Sequence, residues 1–272
     1  MRTTRITAGA LALAFTFVLL VASVASAQLP PPLPLENHYK VYASSPITVV
    51  KPVGLRDQFG QLNVLDMVFD KFATPADKIV INADGTSTTY PMVNPDIHMD
   101  WYRIDVPQVP RTVIGTDQFG KGPWVLGNAR YLLLPALKNV PVPATVPAWN
   151  HYLCYDALSG PLVNKPVTLI DQFGNVQVVV LQAKYFCNPV EKTVDGAVGP
   201  VVYPIIDFNA HLACYQVDNP VPDFRGITTV DQFGYWSTQI YHNDCLCVPA
   251  LKDYPLATQH STWGKIKSLY RN

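Results

Sequence analysis

Val167-Thr168-Leu169-Ile170-Asp171-Gln172-Phe173-Gly174, followed by Val176-Gln177-Val178-Val179-Val180, places period-two apolar runs on both sides of a short polar break. A period of two belongs to a half-buried strand, whereas a helix would repeat every 3.6 residues. Asp is favoured at the first position of a type I turn, and Gly supplies the left-handed conformation that closes a hairpin bulge. The stretch therefore reads as a β-hairpin with Asp171–Gly174 at its tip.

The same tip recurs at Asp57–Gly60, Asp117–Gly120 and Asp231–Gly234. Nineteen or twenty residues before each Asp stands a His (His38, His98, His151, His211), and four after each His a Tyr (Tyr42, Tyr102, Tyr155, Tyr215). Eighteen residues beyond each Asp lies a Pro (Pro75, Pro135, Pro189, Pro249), and twenty-one beyond it a Lys (Lys78, Lys138, Lys192, Lys252). The chain is built from four repeats. A second strand-like run begins at each His, which gives three or four strands per repeat. The Pro lacks a ladder donor and is expected to end the return strand.

Repeats one and three open with Asn-His-Tyr (Asn37-His38-Tyr39, Asn150-His151-Tyr152) and carry the longer tails, while repeats two and four share Pro-Ala-Leu-Lys (Pro135–Lys138, Pro249–Lys252). This long-short-long-short order makes a pair of repeats the natural domain. The fold class expected is all-β, as two tandem pseudo-twofold β-sandwich or flattened-barrel domains over 37–146 and 147–254. Residues 28–36 form a Pro-rich, extended leader, and 255–272 a tail.

Residues 1–27 read as an export signal: Arg2 and Arg5, an apolar stretch from about Ala8 to Val24, and the small-residue site Ala25-Ser26-Ala27. Cleavage would place the mature chain, with no membrane span of its own, in the periplasm, the cell envelope or the exterior. It would also leave 18 basic against 20 acidic side chains. Nucleic-acid binding needs a concentrated basic face, and Lys and Arg cluster only at Lys265, Lys267 and Arg271, so that partner class is set aside.

The five Cys all lie in repeats three and four. Cys154 and Cys214 each precede the repeat's Tyr, and Cys187 and Cys247 each lie sixteen residues after its Asp. Two equivalent disulfides, Cys154–Cys187 and Cys214–Cys247, follow for an exported protein. The same positions hold Val41 with Ala73 in repeat one and Trp101 with Leu133 in repeat two, as contacting core sites would. A four-Cys zinc site competes poorly without a Cys-x2-Cys pair. Cys245 is left as a buried thiol, a rival partner for Cys214 or an intermolecular link.

Asn150–Tyr155, Val167–Gly174, Cys187–Lys192, His211–Val217 and Cys247–Lys252 together resemble an uncharacterised repeat domain of secreted bacterial proteins. The resemblance is strongest over 149–254 and implies export and the two Cys pairs, but no activity.

No catalytic residue, metal site or cofactor is expected. The repeated His38, His98, His151 and His211 and Asp57, Asp117, Asp171 and Asp231 are read as structural, because four copies suit a scaffold better than an active site. The alternative is a secreted hydrolase or metal-dependent enzyme that uses the His and Asp of one repeat side by side. No Gly-x-Ser-x-Gly elbow, His-Glu-x2-His or phosphate-cradling loop occurs. For binding, Tyr235, Trp236 and Tyr241 are the surface candidates, with Trp149 and Trp263 as further exposed aromatics or, for Trp149, an interdomain plug. An extracellular protein or a glycan is the partner such aromatics would suit.

Overall fold

Each repeat contributes two strands to a common barrel, at least one of them long, and the barrel portions are buried on both faces. The computed structural model describes residue 33 and residues 35–82, 84–218 and 222–253. The stretch read above as an export signal, most of the Pro-rich leader, the tail and Trp263 lie outside the described residues. Repeat one carries β1 (Tyr39–Asp57), β2 (Gly60–Pro75), β3 (Asp77–Ile81) and β4 (Ser87–Tyr90), and repeat two carries β5 (His98–Val106), β6 (Arg111–Asp117) and β7 (Gly120–Lys138). Repeat three carries β8 (His151–Ser159), β9 (Leu162–Asp171), β10 (Gly174–Gly196) and β11 (Gly199–Tyr203), and repeat four β12 (His211–Val217), β13 (Pro222–Val230) and β14 (Tyr235–Asp253). The four-three-four-three count is the long-short-long-short pattern of the sequence.

Eight of these strands close into a ring. β1 pairs β2, then in turn β5, β7, β8, β10, β12 and β14, and β14 returns to β1, every pairing antiparallel. Eight strands give a barrel whose interior is just filled by side chains, and closure removes the exposed sheet edges. Its lumen is layered. Tyr39, Met99, Tyr152 and Leu212 form one layer; Val41–Ala73, Trp101–Leu133, Cys154–Cys187 and Cys214–Cys247 the next; and Tyr131, Tyr185 and Cys245 a third, with Lys71 at the equivalent position of repeat one. The four Cys-equivalent pairs thus converge in one layer, and the structure contains both disulfides. Cys245 is a buried thiol, and burial pushes its pKa up to about 12, so it stays protonated.

The sequence expectation placed two domains either side of 146/147. The pairings cross that point: β7 pairs β8, β1 pairs β10, and one compact unit holds all four repeats. A single antiparallel sheet therefore replaces two tandem sandwiches. A pair of repeats supplies only four of the eight strands a barrel of this girth needs, so it cannot close on itself.

Outside the barrel lies a second apolar layer. Past a register shift the long strands leave the ring and run on as four hairpin arms tipped by Asp-Gln-Phe-Gly. In β1 the shift falls between Ala43 and Ile47, and such bulges bend a strand and strengthen its twist. Arm residues Val53, Leu55, Val113, Leu169 and Ile227 then cover outward-facing barrel residues such as Phe72, Leu132, Phe186 and Leu246. Burying each such side chain contributes about 1.5–3 kcal/mol.

The repeated Pro does not generally end a strand as expected. Only Pro75 does, whereas Pro135, Pro189 and Pro249 lie within β7, β10 and β14. Each of these Pro still faces a barrel partner on one edge (Met99, Tyr152 and Leu212), while on the other edge the strand is between a barrel neighbour and an arm of another repeat, where no ladder donor is needed. Asn37 and Asn150 explain the longer tails. The side-chain oxygen of Asn37 accepts from the amides of Val93 and Asn94 at 2.9 Å, and that of Asn150 from Ile206 and Asp207 at 2.8 and 3.1 Å.

Candidate functional site

The polar residues that recur in every repeat meet at the four arm tips. In each tip the Asp accepts from the amide of the following Phe at 2.6–2.9 Å, and the Gly takes φ between 128° and 151°, a region that a side chain disfavours. The Tyr that donates to each Asp comes from two repeats away. Tyr42 reaches Asp171 (2.6 Å), Tyr155 reaches Asp57 (2.9 Å), Tyr215 reaches Asp117 (2.5 Å), and Tyr102 reaches Asp231 through a shorter bond. The tip Phe packs edge-on against that same Tyr, with centroids 5.1–5.4 Å apart.

The His and Lys come from the preceding repeat. His38 pairs with Gln118 (2.9 Å), His98 with Gln172 (2.6 Å) and His151 with Gln232 (2.8 Å). In the fourth clasp Gln58 turns to the Phe208 carbonyl (3.4 Å), and His211 pairs with the backbone of Cys187. Lys78, Lys138, Lys192 and Lys252 lie over the rings of Phe119, Phe173, Phe233 and Phe59 at 4.4–4.8 Å. Each clasp therefore draws on three or more repeats, and the pattern runs round the ring from repeat four back to repeat one.

This arrangement differs from the one an enzyme reading needs. The His of each repeat faces the Gln of the motif and not its Asp. Burial also depresses the imidazoles, to about 3 for His38, His151 and His211 and about 4 for His98, so they stay neutral across physiological pH. Among the described residues no cluster of three His, Cys, Asp or Glu could hold a metal ion.

Two positions distinguish the clasps. Two residues before the Tyr stand Lys40, Asp100, Leu153 and Ala213; one residue after the second Cys-equivalent position stand Thr74, Leu134, Asn188 and Val248. Lys40 forms a long ion pair with Asp171 (3.6 Å). Asp100 instead brings a second carboxyl to Asp231 in full burial, where Thr229 donates to its Oδ2 at 2.8 Å. Burial, then the neighbouring carboxyl, raises the Asp100 pKa well above the usual range, and Asp231 is raised by burial as well. Asn188 lies fully buried between Lys252 and Asp57.

Of the aromatic candidates, Tyr235 is exposed (49%). Trp236 is packed against the outer core and directs its indole N–H to Asp231 at 3.4 Å. Tyr241 is half-buried, bonded to Ser45 (2.6 Å) and edge-on to the exposed Phe224. Trp149 is a plug, but of the barrel: it packs on the lumen cluster and donates to Glu36 at 2.9 Å. Glu36 also accepts from Tyr39 (3.1 Å) and Tyr152 (2.5 Å), and its burial pushes its carboxyl pKa up.

A trough of about 590 Å³ opens on the outer face where β1 runs between β2 and β10. Gly54 floors it between Asn63 and Thr193, and Arg56, Gln61 and Glu191 line one end. The other repeats carry Ile114, Thr168 and Thr228 at the Gly54 position, so the trough belongs to repeat one. That break in the repeat pattern was the sequence signal for it.

These features define a class: a closed antiparallel barrel of four repeats whose arms are clasped through buried polar tips. The chain belongs to the family described as "Repeat of unknown function (DUF7450)", whose model matches residues 98–249, more than half of its length. No curated protein and no solved structure matches it.

Proposed function

We propose that the protein is an exported structural or binding module and not a catalyst. The observation that carries this reading is that the His, Asp, Lys and Tyr of all four repeats are spent on holding the arms to the barrel. Two disulfides favour an oxidising compartment, in keeping with the N-terminal export signal. No helix of the described residues is long and apolar enough to cross a membrane. The trough beside Gly54 offers amide, hydroxyl, guanidinium and carboxylate groups to an extracellular protein or a glycan, and it is the natural place to look for a ligand.

Equal dependence on equivalent positions is the test. Tyr42→Phe, Tyr155→Phe and Tyr215→Phe should each cost about 1.5–3 kcal/mol, the range for a hydrogen bond to a charged group. Denaturant unfolding reads that loss. One clasp variant that left stability untouched while abolishing an activity would favour the hydrolase reading. Gly54→Thr should fold normally, since an added Cβ meets only ordinary contacts at 3.6 and 3.7 Å, yet block whatever occupies the trough on a glycan or extracellular-protein array.

A further inference from the structure

We propose that the side chains of Lys252 and Asn188 join in an intramolecular amide bond, formed by the folded protein itself with Asp57 as the proton relay. Lys252 Nζ donates to Asn188 Oδ1 at 2.7 Å, so the carbonyl carbon to be attacked is one bond beyond the contact. On the far side of the same amide, Asn188 Nδ2 donates to Asp57 Oδ2 at 2.8 Å. Nucleophile, electrophile and relay carboxylate are thus adjacent before any reaction, which makes the step an intramolecular one.

The surroundings favour the step. Asn188 has no exposed surface, the Phe59 ring centroid lies 4.5 Å from Nζ, and Tyr155 donates at 2.9 Å to the same Asp57 oxygen that Asn188 reaches. Burial, opposed by the Asp57 charge, brings the Lys252 amine down to about 7, so a large share is neutral and nucleophilic at neutral pH. Lys78, Lys138 and Lys192 occupy equivalent places, but the Asn188 position holds Val248, Thr74 and Leu134 in their clasps. The chemistry is therefore confined to one clasp of four.

The balance needs no oxidant, reductant or co-reactant. The Nζ lone pair attacks Cγ of Asn188 and a C–N bond forms. The resulting tetrahedral centre collapses with cleavage of Cγ–Nδ2. One proton from Nζ passes through the Asp57 carboxylate to Nδ2, which departs as ammonia. A neutral amide replaces a half-buried amine and a buried primary amide, and β10 becomes covalently tied to β14.

Mass spectrometry of the folded full-length protein, reduced, alkylated and digested, decides the matter. The expected result is a linked species joining the Asn188 and Lys252 peptides, lighter by one ammonia than the two peptides together and resistant to reduction. Linkage should disappear in Asn188→Ala and in Lys252→Arg, and should form more slowly in Asp57→Asn. Recovery of Asn188 and Lys252 from wild-type protein in separate, unmodified peptides would overturn the proposal. So would an ammonia deficit that maps to cyclisation of an N-terminal Gln28, or one that persists unchanged in Asn188→Ala. Unchanged linkage kinetics in Asp57→Asn would remove Asp57 from the mechanism.

Discussion

A histidine that opens every repeat yet stays uncharged across physiological pH behaves as a measurable marker of burial. Across pH 5–8 the ring resonances of His38, His98, His151 and His211 should show no titration, because burial holds all four at about 3 to 4. A midpoint near 6.5 for any one of them would point to an exposed, chemically available imidazole. Asp100 carries the opposite sign. Its folded pKa lies above its unfolded value, so its contribution is fully favourable at acid pH and is lost as pH rises from about 4 towards the folded value. The charged groups facing the Asp100–Asp231 pair are few: Lys192 acts on Asp231, with neutral Tyr102 and Thr229 beside it. Asp100→Asn can donate to Asp231 without a titrating proton. It should stabilise the protein at pH 7–8 by about 1–3 kcal/mol, with the gain shrinking towards pH 4, as thermal melts across pH would read. The four His, Tyr and Asp were legible from spacing alone, but their partners were not. Spacing shows that residues recur, whereas a contact two repeats away depends on how the ring closes. Asp100 and Asn188 stayed hidden because each breaks the repeat at a position that looks unremarkable until the neighbouring arm is in place.

At the scale of the strand, the period-two runs, the hairpin tips and the three-or-four count per repeat could all be read in the sequence. The length of β1, β7, β10 and β14 could not. A strand of 19 residues that serves the barrel with one half, buried on both faces, and an arm with the other, buried on one, carries apolar residues throughout, so no turn signal marks where one role ends. The Pro looked like a strand end for the same reason. The Cys pairs were readable because repeats one and two preserve their contact in other residues, and that equivalence can be tested. Cys154→Val with Cys187→Ala copies Val41 and Ala73 into repeat three. The double variant should keep the barrel fold, and lose about 3–4 kcal/mol from release of a cross-link spanning 33 residues. Denaturant unfolding with near-UV circular dichroism separates those two outcomes.

For the whole molecule, the unit of folding is the ring. Asp57 is held by Tyr155 and Asn188, and Asp171 by Tyr42, so either half of the chain carries clasps whose other parts lie in its partner. Residues 37–146 and 147–254 expressed separately should remain largely unfolded, and should regain sheet structure by circular dichroism when mixed. Independent cooperative melting of either half would restore the two-domain picture. Alternation in repeat length favours a pairwise domain, but strand partnership is set by girth, and the alternation reflects where Asn37 and Asn150 pin a returning loop.

The seam between β1 and β14 has one more implication. It is a nick in an otherwise continuous circle, and the clasp that spans it keeps the Tyr–Asp, Tyr–Phe and Lys–Phe contacts of the other three. Linking the two natural ends and opening the chain in the exposed stretch 141–147 should give a circular permutant with the same barrel. The natural order differs from the permuted one in which seam must close last, β1 with β14 in the one and β7 with β8 in the other. Tyr39 cannot find Cys247 until all four repeats are present, so the circle completes only late in folding, after a long search for distant partners.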